Sequence, residues 1–395
     1  MDKTRGDSGL FRQNILFSLL MTALGLLINI LNALADRMAL FLGWPSSDAG
    51  SLISLFALGS LTGIVLTSAL ADWAGKRRVI LAGLAAMAAG LLMVFGAQAF
   101  LPLALGLFLF GLGFGPTEAQ GSALLSDMNP LQASKWVNIA NAGFSLGAIL
   151  GPLLAVALYL LGGSHHPVFL YCGALVLALL LLVRAGAGRL PTVRHAHSRS
   201  PFSMFQLLRD RRFLVLTLMM FLYLGYEAVA SAYIKPFFIQ QGAPESLGAA
   251  MLSLYWGMII LGRLMGARLG GKELRYLPLF ALLAALGMLI LAFAPGLPLK
   301  GLAVALYGLG CGPAWPMIVV LATRRFPERS GAAMGMMMLG TMGGMTAFPF
   351  LIGTLPGKLT LTFALAAVLA LLVVLLSRLA GDSPAKPAAG MDGQA

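Results

Sequence analysis

Long apolar runs, broken only by short charged or turn-rich segments, recur along almost the whole chain and leave it few folds to adopt. They cover residues 13–34, 49–70, 79–98, 101–125, 136–161, 167–183, 213–238, 247–267, 276–294, 299–322, 332–353 and 359–378. Each is close to the roughly 20 residues that a helix needs to cross a hydrocarbon core. Within that core every backbone polar group must be satisfied internally, so only helices or closed barrels span it. Barrel strands would alternate weakly over about ten residues instead of running unbroken. The expected fold class is therefore all-α, an integral membrane protein of twelve transmembrane helices in two six-helix bundles. Composition agrees: 59% of the 395 residues are hydrophobic and 10% charged, against about 25% charged in soluble domains.

A formal charge of +13 raises the question of nucleic acid, and the location of the charge answers it. With the N-terminus in the cytoplasm, only Arg37, Lys235, Lys300 and Lys358 of the 27 Lys and Arg fall at outer ends or loops. Such a positive-inside bias sets the orientation of a membrane protein. The even number of runs places both termini in the cytoplasm, beside anionic headgroups, and a bacterial inner membrane is the expected location. The partners are the bilayer and a small solute, not nucleic acid, and a monomer is the expected form. Lys3, Arg5 and Arg12 before an apolar stretch and Ala33-Leu34-Ala35 imitate a signal peptide, but the run exceeds the roughly 7–15 residues of a signal core. Cys172 and Cys311 both lie in apolar runs and read as unpaired packing residues.

The longest polar interruption, 184–212, divides the chain into an N-terminal bundle at 1–183 and a C-terminal bundle at 213–378. A disordered cytoplasmic tail is expected at 379–395. The linker is basic, with one short surface helix expected at 202–210; its His195 and His197 lack the cysteine or carboxylate neighbours of a metal site. The two bundles repeat each other. GLGFGP begins at Gly111 and GLGCGP 197 residues later at Gly308. Gly143, Gly147 and Pro152 recur at the same offset as Gly340, Gly344 and Pro349. This is the mark of a parallel duplication. Glycines at four-residue spacing let membrane helices approach closely, which accounts for Gly143, Gly147 and Gly151 without chemistry; the prolines are expected to bend their helices.

SALADWAGKRR, residues 68–78, resembles the G-x-L-A-D-R-x-G-R-K signature of the major facilitator superfamily through Leu70, Ala71, Asp72, Gly75, Lys76 and Arg77. Ser68 and Trp73 depart from it. Three further stretches are similar to the fucose and hexose proton symporters of that superfamily: GFGPTEAQGSALL at 113–125, VNIANAGFSLGAILGPLL at 137–154, and FLYLGYE with YWGMIILGRLMG at 221–227 and 255–266. The resemblance implies a gate in which Asp72, Gly75, Lys76 and Arg77 take part. It also aligns Glu118 with a protonatable glutamate on the fourth helix. Gly121 and Ser122 stand where those symporters have an asparagine, and their first-helix acid has no clear equivalent here, so sugar specificity does not carry over.

The residues themselves point the same way. An ionisable side chain at mid-membrane costs at least ~2.5–3.5 kcal/mol, and only Glu118 and Glu227 are carboxylates well inside the runs. Burial disfavours a charged carboxyl, so both are candidate proton-coupling sites; a structural hydrogen bond, with Tyr226 as partner for Glu227, is the plain alternative. Glu118 adjoins Gly115-Pro116, where the backbone is expected to loosen. Arg263 is expected to snorkel to water from the cytoplasmic end of the eighth run, with a part in gating as the alternative. Lys235 is expected at the outer surface, and Asp36 with Arg37 as an exposed pair. Asn29, Asn32, Gln120, Asn138, Asn141, Tyr226, Tyr255, Trp256 and Trp315 form a set of amides and rings suited to a polar solute such as a sugar. Interhelical hydrogen bonding and aromatic packing would also explain them. Met334, Met336, Met337 and Met338 read as repackable helix contacts.

The leading expectation is a secondary transporter that imports a small polar solute, a sugar or sugar-like compound, by proton symport. A proton-driven exporter of lipophilic drugs or metabolites is the first alternative, and a transport-inactive receptor the second. The coupling ion is read as a proton, with sodium as the alternative; no other cofactor and no metal is implied. The chain lacks G-x-x-x-x-G-K-[ST] and H-E-x-x-H, and its G-x-S-x-G match, GFSLG at 143–147, lies inside an apolar run and not at a strand-to-helix elbow, so neither an ATP-driven pump nor an enzyme is expected.

Overall fold

The computed structural model describes residues 3–45, 49–186, 201–353 and 359–381. The first half contains α1 (Lys3–Phe41), α2 (Ala49–Ala74), α3 (Lys76–Gly96), α4 (Phe100–Met128), α5 (Ala133–Gly162) and α6 (His166–Gly186). The second contains α7 (Arg211–Gln240), α8 (Glu245–Arg268), α9 (Glu273–Phe293), α10 (Leu297–Cys311), α11 (Ala314–Arg325), α12 (Ser330–Gly353) and α13 (Leu359–Ala380). Twelve stretches are long and apolar enough to cross a membrane, α10 and α11 together making one of them. Among the described residues no strand occurs. Odd-numbered spans start, and even-numbered spans end, at the face that carries the first and last described residues, Lys3 and Gly381, here termed the terminal face.

The duplication is visible in the packing. In the first half α1 lies on α5, α4 lies on α2 and α3, and α6 lies on α3. In the second, α7 lies on α12, α10 on α8 and α9, and α13 on α9. GLGxGP explains why. A methyl group added at Gly111 would strike the Phe56 carbonyl of α2, and one at Gly113 the Gly83 carbonyl of α3. The later copy repeats this: Gly308 abuts the Tyr255 carbonyl of α8, and Gly310 would bring a methyl within 2.6 Å of the Phe280 carbonyl of α9. One Gly-x-Gly thus seats a span between two neighbours in each half.

The short helix expected in the linker is a 3-10 helix at Pro201–Arg209 with two sides: Met204 and Leu207 are buried where it packs on α2, α7 and α12, and Phe205, Gln206 and Arg209 are exposed. Residues 187–200, with His195 and His197, and residues 382–395 of the expected tail lie outside the described residues. Lys235 does reach the surface, 2.5 Å from Glu245, and Asp36 and Arg37 form the exposed pair expected of them.

Candidate substrate and coupling site

The two copies of GLGxGP differ in the backbone, and the break falls in the copy without the acid. α4 runs unbroken through Pro116. The second copy, GLGCGPAWP, parts into α10 and α11 at Gly312-Pro313. A proline has no N–H, so Pro116 deprives α4 of one helical bond, whereas Pro313 and Pro316 together deprive two carbonyls, those of Leu309 and Gly312. At the break, Gly312 O and its neighbour Cys311 O take side-chain donors instead. Cys311 O accepts from the Tyr223 hydroxyl at 3.1 Å, and Gly312 O accepts from Arg263 Nε at 3.3 Å.

Arg263 does not snorkel. It is 5% exposed, and its Nη1 donates to Asn141 O at 2.7 Å and to the Ser145 hydroxyl. Gly262 and Gly266 flank it and let α8 close on both neighbours: a methyl at Gly266 would lie 2.6 Å from Pro313 Cβ and 2.7 Å from Asn138 Oδ1. That close fit shuts the path to water. Through Arg263 the second half holds α5 of the first.

Glu118 and Glu227 both lie within the electrostatic reach of Arg263. Among the described residues, neither forms an ion pair with it closer than 4.0 Å. Glu118, on α4, is half-buried and has no hydrogen-bond partner among the described residues. Glu227, on α7, is 8% exposed and lies one turn after Tyr223, whose hydroxyl donates to Cys311 O; the hydroxyl of Tyr226, the partner expected for it, is buried without a partner. Tyr223, Tyr226, Tyr255 and Tyr307 make a buried cluster, with ring centroids 5.3 Å apart for Tyr223 and Tyr226 and 5.1 Å for Tyr255 and Tyr307; the Tyr307 hydroxyl donates to Tyr226 O. Tyr223, Tyr307 and Ser145 escaped the sequence reading. Tyr223 had a signal, its i, i+4 spacing to Glu227.

The amide nitrogens expected to line a cavity are largely engaged elsewhere, while Gln120 Oε1 and Asn138 Oδ1 are buried without a hydrogen-bond partner among the described residues. Asn29 Nδ2 donates to Gly25 O at 2.9 Å, Asn138 Nδ2 to Ser134 O at 2.8 Å and Asn141 Nδ2 to Val137 O at 2.8 Å, each along its own helix. Gln120 is buried where the halves meet, its Nε2 3.4 Å from Gly331 O. Asn32 is exposed and Trp256 half-buried, while Trp315, Tyr226 and Tyr255 are buried. Met334, Met336, Met337 and Met338 are buried packing residues of α12.

The halves close on each other at the terminal face. Asp72 accepts from the Gly331 and Ala332 amides of α12 at 2.8 and 2.9 Å, which satisfies two of the free N–H groups at that helix start. Lys76 Nζ lies 3.3 Å from Asp72 and 3.0 Å from Asp127, and Asp127 accepts from the Ser330 hydroxyl at 3.0 Å. Gly75, at φ 94, makes the turn that brings Lys76 back. Arg77 stays within its own half, donating to Arg184 O at 3.1 Å. The hydrogen bonds that link the halves among the described residues all lie between this face and Arg263.

Two repeated bundles meeting around a buried charge and closed at one end are the architecture of a membrane transporter. The chain belongs to the Major Facilitator Superfamily, whose profile matches residues 15–307; fold and family are those of transporters, which are not enzymes. The chain is 30% identical over 322 residues to the Multidrug resistance protein MdtH of Aeromonas salmonicida, spanning 78% of each chain. It is 28% identical over 332 residues to the protein of that name from Aeromonas hydrophila, again over 78% of each. Among solved structures it is similar to the E. coli fucose:proton symporter FucP, with a TM-score of 0.82 at 18% identity, covering 95% of this chain and 100% of that one.

Proposed function

We propose that this chain exports lipophilic cations from a bacterial cytoplasm across the inner membrane in exchange for protons, with both termini cytoplasmic. The observation that carries the reading is Glu118: a half-buried carboxyl with no hydrogen-bonded partner among the described residues, facing a fixed positive charge that other groups already hold. With both Glu118 and Glu227 ionised, the Arg263 cluster carries a net charge of −1 and attracts a cation. Protonation of both turns it to +1 and expels the cation. Proton and substrate then compete for one site, which is the requirement of exchange. The amide nitrogens of Asn29, Asn138 and Asn141 are spent on their own helices, so acceptors, carboxyl groups and rings dominate the recognition surface, which suits a lipophilic cation. Relatives named for multidrug resistance support the same ordering.

Proton symport of a sugar, the leading expectation from sequence, becomes the second reading. It is favoured by exposed Asn32 and half-buried Trp256. Inverted vesicles separate the two. Under an imposed gradient, acid inside, they should accumulate a fluorescent lipophilic cation such as ethidium, and Glu118→Gln should abolish accumulation. Concentrative sugar uptake in right-side-out vesicles, with no cation movement in inverted ones, would refute export.

A further inference from the structure

The turn between α2 and α3 has a counterpart between α8 and α9. Gly75 and Gly271 both take positive φ, 94 and 84, and each is followed by a lysine, Lys76 and Lys272. In the first turn the lysine is neutralised by two acids, Asp72 and Asp127. In the second both acids are gone. Arg268 precedes Lys272 by the four residues that separate Asp72 from Lys76, and Arg324 stands at the 197 offset from Asp127. One acid replaces them: Glu273, 3.1 Å from Arg324 and 3.0 Å from the Gly271 amide.

A cavity of about 260 Å³ opens there on the terminal face, lined by Gly271, Lys272, Glu273, Leu274, Arg275, Leu321 and Arg324. Lys272 and Arg275 are exposed at its rim, and neither has an acidic partner within 4.0 Å among the described residues. Three cations against one carboxylate leave the lining at +2. Leu274 and Leu321 supply an apolar wall. The volume lies just below the ~300–1,000 Å³ of sites for drug-sized ligands, which suits a headgroup. Terminal-face ends of the spans lie at the depth where phospholipid phosphates sit.

We infer that this cavity binds the phosphate of an anionic phospholipid, Lys272 and Arg275 taking the phosphate and Leu274 and Leu321 the start of the glycerol. Arg324 also donates to Pro130 O of the first half at 3.3 Å. A bound phosphate therefore competes with Glu273 for a residue that bridges the halves, and ties their closure to lipid composition. The site does not depend on the identity of the transported solute.

Purified protein in neutral detergent tests this by thermal shift with added dioleoyl phosphatidylglycerol, dioleoyl phosphatidylcholine or inorganic phosphate. Phosphatidylglycerol should raise Tm more than phosphatidylcholine does. Lys272→Gln with Arg275→Gln should remove at least half of the difference, and Leu321→Trp, which fills the cavity and leaves every charge, should do the same. Arg12→Gln with Arg78→Gln, the same charge removed elsewhere on the face, should leave it intact. A rise with inorganic phosphate alone, lost in both cavity variants, keeps the anion site but assigns it to a free phosphate. Equal shifts from the two lipids without a phosphate response, or a phosphatidylglycerol shift retained in the cavity variants, overturn the proposal.

Discussion

The Ser126 and Thr323 hydroxyls share a hydrogen bond of 2.8 Å, and the two residues stand 197 positions apart, the offset of the internal repeat. They are copies of one position, in contact across the axis that relates the halves. The bond is buried at the terminal face and must break if that face opens. Ser126→Ala and Thr323→Val should each shift the population toward the opened state, and their double-mutant coupling should be about 0.5–1.5 kcal/mol, the net worth of a buried hydrogen bond. Spin labels at positions 131 and 327 would read this as a roughly two- to tenfold growth of the long-distance population.

Packing between α1 and α5 yields a sharper contrast. A methyl added at Gly147 falls on the Thr22 carbonyl and lies 2.7 Å from the Leu26 amide, whereas one at Gly257 meets nothing within 4 Å. Gly147→Ala should lower stability by ~1–3 kcal/mol through overpacking. Gly257→Ala should be neutral or stabilising by up to ~1 kcal/mol, since alanine is the better helix former. Thermal unfolding in detergent ranks the two.

Arg263 has acceptors on two faces of its guanidinium, and lysine cannot reproduce that fork. Arg263→Lys should therefore keep the charge but slow gradient-driven transport by about tenfold or more. A variant with native rates in vesicles would show that the charge alone suffices.

His165, in the turn before α6, is 3% exposed and stacks on His166 at 4.1 Å, among Phe41 and Phe169. Burial, and then the neighbouring His166, lower its pKa from 6.5 to about 4. A base whose folded pKa is depressed favours the folded state when neutral. Its contribution is therefore full above about 6.5 and is lost as pH falls toward about 4. Tm should decline across that window, and His165→Phe should flatten the decline.

The spans and the duplication were legible because hydropathy and a fixed offset are carried by many residues at once. The fate of single polar groups was not. Arg263 sits within reach of the membrane surface by sequence position, and only the approach of α8 to α5 and α10, permitted by Gly262 and Gly266, turns it inward. Asn138 and Asn141 are at the right depth for a solute but bond their own helix, a choice of rotamer that sequence does not encode locally. The expected loosening at Pro116 fell in the other copy, and that was readable: Pro313 and Pro316 remove two donors from one turn where Pro116 removes one.

Pro316 makes this more than a matter of helix shape. The N–H it lacks is the one that would have claimed Gly312 O, the carbonyl that receives Arg263 Nε. One missing hydrogen on an uncharged residue thereby helps fix where a full positive charge sits, on a side chain 49 residues before the carbonyl it frees. Alanine at position 316 would alter the electrostatics of the site as surely as a substitution of the arginine itself, with no ionisable group added or removed.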